Sequence, residues 1–217
     1  MRFDRVLERL AAAGGHPLPG AEAQAVMAPR PRRSWVPGIL PADAKRAAAL
    51  ALLYPANDDT VLVLTVRGAG LPHHRGQVSF PGGAVEPGES VEQSAFREAE
   101  EEIALQRHAA TVRLALTPLH IPVSGFVLHP IVATAASRPT LAPSAREVAS
   151  IVEPSLSALT ADGAARIELS EHEGIEIEVP YFDLGGPKLW GATAMVVAEL
   201  LAVLGTAPVR PGAQRLP

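Results

Sequence analysis

A chain of 217 residues is long enough for one large domain or two small ones, with a sizeable buried core in either case. It contains no cysteine, which excludes a disulfide framework and a thiolate zinc site and suits a cytoplasmic protein. Its formal net charge of −4 excludes an overall electrostatic footprint for nucleic acid. At the N-terminus, MRFDRVLERLAAAGG interleaves charges with Phe3, Val6, Leu7 and Leu10 at helical spacing, which predicts an amphipathic helix and not a signal peptide. Gly14 to Pro41 is rich in Pro and Gly and reads as a loop-like connector, with the basic run Arg30 to Arg33 as part of its solvated surface.

Ala47 to Tyr54 (AAALALLY) then reads as a buried strand despite its alanines. Asn57, Asp58 and Asp59 supply a turn, and Val61 to Val66 follows as the second half of a hairpin. That strand delivers Arg67 to a loop containing His73, His74, Arg75 and Gln77, and a short extended piece leads into the glycine pair Gly82 and Gly83. Cations on this loop would face the acidic helix that follows across the mouth of a cleft, where a ligand's phosphates could bridge them to metals. The glycines permit backbone geometry that a side chain would forbid and allow close approach to a metal or phosphate.

Pro87 and Gly88 set a turn, and Ser90 with Gln93 fits a capping box, so a helix is predicted to begin at Val91. Val91, Ala95 and Ala99 form one small-residue face, while Glu98, Glu101 and Glu102 share another at i, i+3 and i+4. Neighbouring acids at that spacing repel by roughly 3 kcal/mol in a cleft of effective dielectric about 20, so such a cluster calls for a cation. Oxygen-only ligands suit Mg²⁺ or Mn²⁺ held between a few carboxylates and substrate phosphates. Arg97 lies one residue before Glu98 and points elsewhere, and with Glu89 it makes an ion pair that clamps the loop to the helix.

Further strands are predicted at Val112–Leu116, Val127–Ala133, Val148–Val152, Arg166–Leu169 and Ile175–Val179, with a last long helix over Thr193–Leu204. The apolar stretch from Ala192 to Gly205 is interrupted by Glu199 and is too short to span a bilayer, so no membrane partner is expected. Strands around a central acidic helix, with a helix at the end, predict a mixed sheet covered on both faces, an α/β class.

From Gly83 the chain runs five residues to Glu89, seven more to Arg97, and on through Glu98, Ala99, Glu100, Glu101, Glu102, Ile103, Ala104 and Leu105. This resembles the Nudix box, Gx5Ex7REUxEExGU with U a bulky aliphatic residue. Ala99 stands where a larger aliphatic is usual, and Ala104 stands where the family has Gly, which predicts a shifted helix end. Upstream, Leu64, Thr65, Arg67, Leu71, Gly76, Phe80, Pro81, Gly82 and Gly83 resemble the motif of the coenzyme A pyrophosphatase branch of the family, with Gly68 and Pro72 departing from it. Ser124–Phe126, Glu147–Val148, Val179–Phe182 and Trp190–Ala194 also look like that branch.

The resemblance implies a three-layer αβα sandwich. It spans roughly Ala47 to Leu204, within a hydrolase domain expected over 42–207; the N-terminal helix and connector over 1–41 are expected to pack on that domain, with a flexible tail over 208–217. It implies metal ligation by Glu98 and Glu102, with Glu101 as a further ligand or the base that orients water. Glu98 and Glu101 thus become the catalytic candidates, Arg67, Arg75 and Gln77 the substrate contacts, and Gly82, Gly83, Glu89 and Arg97 the support. Trp190 is read as a packing residue and Glu147 as structural or exposed. The implied reaction is metal-dependent cleavage of the diphosphate of coenzyme A or its derivatives, giving adenosine 3′,5′-bisphosphate and 4′-phosphopantetheine. Another nucleoside diphosphate derivative, such as ADP-ribose or NADH, is the alternative substrate, and a Nudix-like binding module without catalysis is the third reading. The partner is a small molecule, and the oligomeric state is left open.

Overall fold

Twelve residues from Lys45 to Ala56 form β1, the spine of the molecule. The computed structural model describes residues 1–31, 35–68, 76–172 and 174–206. Before β1 come helices α1 (Phe3–Ala13) and α2 (Gly20–Val26). After it run β2 (Asp59–Leu62), β3 (Leu64–Arg67), β4 (Val78–Ser79), β5 (Gly82–Ala84), α3 (Val91–Ile103), β6 (Thr111–Ala115), β7 (Leu119–Ile121) and β8 (Phe126–Thr134). The chain closes with β9 (Val148–Val152), α4 (Leu156–Thr160), β10 (Ala165–His172), β11 (Ile175–Asp183), β12 (Lys188–Trp190) and α5 (Gly191–Val203).

β1 pairs in parallel with β8 and antiparallel with β2 and β5, within a six-stranded mixed sheet. Because side chains alternate across a strand, β1 feeds two cores. Ala48, Leu50, Leu52 and Tyr54 point towards α3, where they meet Ala95, Phe96, Ala99 and Ile103. Ala49, Ala51 and Leu53 point the other way, into a larger core that takes Val6 and Leu10 of α1 and most of α5. A strand buried on both faces reads as a continuous apolar run, and that burial overrides the weak strand preference of alanine. Helix, sheet and helix therefore stack as three layers. A second sheet joins β10, β11 and β12, and a third joins β4, β3 and β9.

Three expectations need correction. Gly14 to Pro41 is not all loop, since α2 forms there and packs on α5. Gln24 of α2 donates to Glu199 Oε2 and to the Thr117 carbonyl, both at 2.8 Å, while the Thr117 amide donates to Glu199 Oε1 at 3.1 Å. Arg30 of the basic run is exposed, as a solvated surface requires, and its backbone exchanges two hydrogen bonds with Glu178 of β11. Arg32 and Arg33 lie outside the described residues.

Val61 to Val66 is not one strand. β2 completes the hairpin with β1, and from Leu64 the chain leaves to pair with β9 in another sheet. Both halves are apolar and β-branched, so no breaker marks the division. Finally, the end of α3 is not displaced. Ala104 takes the left-handed conformation itself, at φ 56°, and its amide closes the helix on Ala99 and Glu100. An L-residue there costs about 1–2 kcal/mol relative to right-handed backbone, a strain that packing of the helix overcomes.

Candidate active site

The helix that carries the acids starts where the sequence says it should. Ser90 accepts from the Gln93 amide at 3.1 Å and the Gln93 side chain accepts from the Ser90 amide at 2.8 Å, so both orphan donors are satisfied. Arg97 then ties helix to loop. Its Nε lies 3.0 Å from Glu89 Oε1, and its Nη2 donates to Glu89 Oε2 at 3.3 Å and to the Ala84 carbonyl at 3.1 Å. The guanidinium holds the Glu89 carboxyl below its usual range, and Glu89 in turn raises the guanidinium.

Arg97 does not point away from the acids, contrary to the sequence reading. Its Nη1 lies 3.0 Å from Glu98 and 3.4 Å from Glu101. A long, planar cation can reach the neighbouring residue's carboxylate while its other edge holds the loop.

The two glycines work by proximity. Neither has a positive φ. A Cβ on Gly83 would overlap both oxygens of the Glu98 carboxylate, and one on Gly82 would lie 2.8 Å from Ala49 Cα and collide with the Ala48 carbonyl. Pairing of β5 with β1 thus brings bare backbone under α3, and the carboxylate of Glu98 rests on it.

The three acids are not equivalent. The Glu98 side chain is 15 % exposed, Glu102 is only 5 % exposed, and the side chain of Glu101 stands 59 % exposed at the rim. Burial raises the Glu98 carboxyl, partly offset by Arg97 and reinforced by Glu101 and Glu147. Burial pushes Glu102 up to about 7, and Glu98 and Glu147 push in the same direction. Arg67 and the backbone amide of Gly82 oppose that shift. One oxygen of Glu102, Oε2, is buried with no hydrogen-bond partner.

Arg67 thus lies on the acidic side of the cleft, in reach of Glu102, with its own Nε buried and unpartnered. Gln77 is half-exposed, and its carbonyl accepts from the Arg67 amide at 3.0 Å, while the Gly76 amide donates to the Arg67 carbonyl. Arg75 lies outside the described residues. Trp190 does not pack in the core: it is 41 % exposed beside Tyr181 on the β11–β12 pair.

Glu147, read from sequence as structural or exposed, is exposed and also close enough to act electrostatically on Glu98 and Glu102. Its placement follows from the end of α3. The Glu102 and Ile103 carbonyls accept from the Ser144 and Ala142 amides at 2.8 and 3.0 Å, and the Glu147 carbonyl accepts from Gly68 at 2.8 Å. No local signal links Glu147 to an acidic helix so far upstream. Its approach arises only when the segment before β9 caps that helix.

Among the described residues, no three acidic or histidine side chains converge into a ready-made metal cage. The donor set nonetheless fits a hard divalent cation. One buried and one partly buried carboxylate, an orphaned oxygen, and a carboxyl raised by burial and by neighbouring acids are what such an ion relieves, with water and ligand oxygens completing the shell.

Residues 44–172 match the family described as the NUDIX domain. An uncharacterized Nudix hydrolase NudL of Pectobacterium atrosepticum is 32 % identical over 176 residues, covering 79 % of this chain and 90 % of its own. Its namesake in Photorhabdus laumondii is 34 % identical over 160 residues, covering 73 % and 84 %. Among solved structures, a Nudix hydrolase from M. smegmatis, RenU, superposes with a TM-score of 0.54 at 25 % identity, covering 76 % of this chain and 89 % of that one. With a helix–sheet–helix frame, a capped acidic helix and a glycine pair seated under its carboxylates, the chain belongs to the Nudix family and is a hydrolase of nucleoside diphosphate derivatives.

Proposed function

We propose that the protein hydrolyses the diphosphate of coenzyme A or its derivatives, with Mg²⁺ or Mn²⁺, giving adenosine 3′,5′-bisphosphate and 4′-phosphopantetheine or its acyl form. The diphosphate chemistry is carried by the Glu98–Glu102 pair, buried one turn apart over Gly82 and Gly83 with an oxygen of Glu102 unpartnered. The choice of coenzyme A is carried by the Leu62–Gly83 string, whose matching positions include Arg67, Phe80 and Pro81.

Glu98 and Glu102 are the residues that would hold the cation, with Glu101 and Glu147 adding negative charge nearby. A bound divalent cation supplies charge neutralisation on the phosphoryl oxygens and a more acidic water. The protein's own groups position and switch charge. Arg97 holds Glu98 beside the bare backbone of Gly83, fixing one carboxylate in place. Arg67 meets the anionic substrate from the strand side, and Gln77 lines the adjoining loop. Glu101, exposed and beside Glu98, serves as a further ligand or as the base that orients the attacking water.

A substrate panel run with Mg²⁺ or Mn²⁺ in ¹⁸O-labelled water, with products weighed by mass spectrometry, tests this reading. Coenzyme A should yield the two named products with label on one of them. Much faster cleavage of ADP-ribose or NADH would replace the substrate, and cation binding without turnover of any diphosphate would make the protein a binding module.

A further inference from the structure

The register of the central sheet gathers a second set of charged side chains on the face that carries α3. Partners across neighbouring strands share a face, as Leu50 with Ile131 and Leu52 with Ala133 do in the core beneath α3. By the same register Arg46 of β1 and His120 of β7 both flank Val127 of β8, and His129 lies two residues on from Val127. The three therefore surround Val127 on the α3 face. Their closeness has an electrostatic mark: burial pushes the His129 imidazole below its ordinary range, and Arg46 adds to the effect.

The same rows tie this group to the acidic site. Ala48 pairs with His129 on one side and with Gly83 on the other, and Glu98 rests on Gly83. His129 and Gly83 are thus two strand spacings apart, on the order of 10 Å. Arg46 is exposed, and both histidines are half-exposed. Among the described residues none of the three side chains is engaged in a hydrogen bond or ion pair. A guanidinium fork and two imidazole N–H donors thus share one sheet face, two strands from the Gly83 on which Glu98 rests. This is a donor set for an oxyanion and a poor one for an apolar or cationic group.

We propose that Arg46, His120 and His129 form an anion subsite that receives a phosphomonoester carried by the substrate outside its diphosphate. The proposal deepens the hydrolase reading and rests on it for the placement of the diphosphate beside Glu98 and Glu102. It assigns to these three side chains the recognition of an additional phosphate on the substrate's sugar.

The test is the ratio of kcat/KM for coenzyme A to that for 3′-dephospho-coenzyme A, measured on the full chain. Wild type should favour the phosphorylated substrate, and R46A and H129A should each lower that ratio about tenfold, mainly through KM, with R46K restoring part of it. Coenzyme A cleaved with an unchanged ratio in both variants overturns the subsite and leaves the hydrolase reading intact. Should neither substrate be cleaved, that reading fails, and titration of the histidine ring protons by NMR decides the subsite separately. Adenosine 3′,5′-bisphosphate should move His120 and His129 and raise the titration midpoint of His129, whereas adenosine 5′-monophosphate should not. Equal responses to both, or none, overturn it.

Discussion

Among the described residues two glutamates are buried, one on each side of β1, and their surroundings differ in every respect that matters. Glu199 of α5 is fully enclosed and has both oxygens bonded, to the Gln24 side chain and the Thr117 amide. Glu102 of α3 is nearly as enclosed, yet has one oxygen without a partner and lies in the field of Glu98 and Glu147. A buried polar group that is satisfied specifies packing, while one left unsatisfied costs stability and is kept for another reason. The first joins α2, α5 and the chain between β6 and β7. The second keeps an unpartnered oxygen and a carboxyl raised by burial, beside Glu98 and Glu147.

The largest effect expected from breaking this contrast is on turnover. Glu102→Gln and Glu98→Gln should each lower kcat at least about 10³-fold, about 4 kcal/mol, while thermal melts show a folded protein. Folded variants with full activity would remove the ligand assignment. Glu199→Ala should do the reverse. It strands the Gln24 and Thr117 donors, so urea unfolding should show a loss of about 3 kcal/mol, with kcat per folded molecule nearly unchanged. Gly83→Ala comes next: a methyl there must displace the Glu98 carboxylate, and a misplacement of that kind lowers rate by about 10²-fold in steady-state assays.

Proton linkage sharpens the comparison. The Glu102 carboxyl titrates near 7 in the folded chain against an ordinary value of 4.5. In that window the folded state holds a proton the unfolded state has lost, so this group's contribution falls as pH rises from about 4.5 to 7. In chelator-treated protein, Glu102→Gln should therefore match wild type at low pH and melt higher at pH 8. A variant that melts lower at pH 8 would show that Glu102 is satisfied as Glu199 is. The smallest expected effect is at the helix end. Ala104→Gly, which relieves a left-handed alanine, should stabilise by about 1 kcal/mol in urea unfolding without altering kcat.

What could be read from sequence were features decided within a few residues. The capping box fixed the start of α3, and the spacing of Glu98 and Glu102 put them on one face, because both depend on helical geometry alone. What could not be read were contacts made across the chain. The inequality of Glu101 and Glu102 depends on which side of α3 meets β5, and the approach of Glu147 depends on a cap delivered from Ala142 and Ser144. The split between β2 and β3 left no mark because both halves serve buried faces. α2 was hidden by the Pro and Gly residues around it, although its seven residues include three alanines and a buried Gln24.

The parallel pairing of Lys45–Leu53 with Phe126–Thr134 has a kinetic consequence. It joins segments about eighty residues apart, and closing so long a loop is slow because its entropy is lost before any contact is gained. Gly83 hangs from one side of that pair and His129 belongs to the other, so neither half of the cleft has a fixed position until the two strands meet. During refolding, helical signal should return early through α3 and α5, and hydrolysis should return only with the last phase.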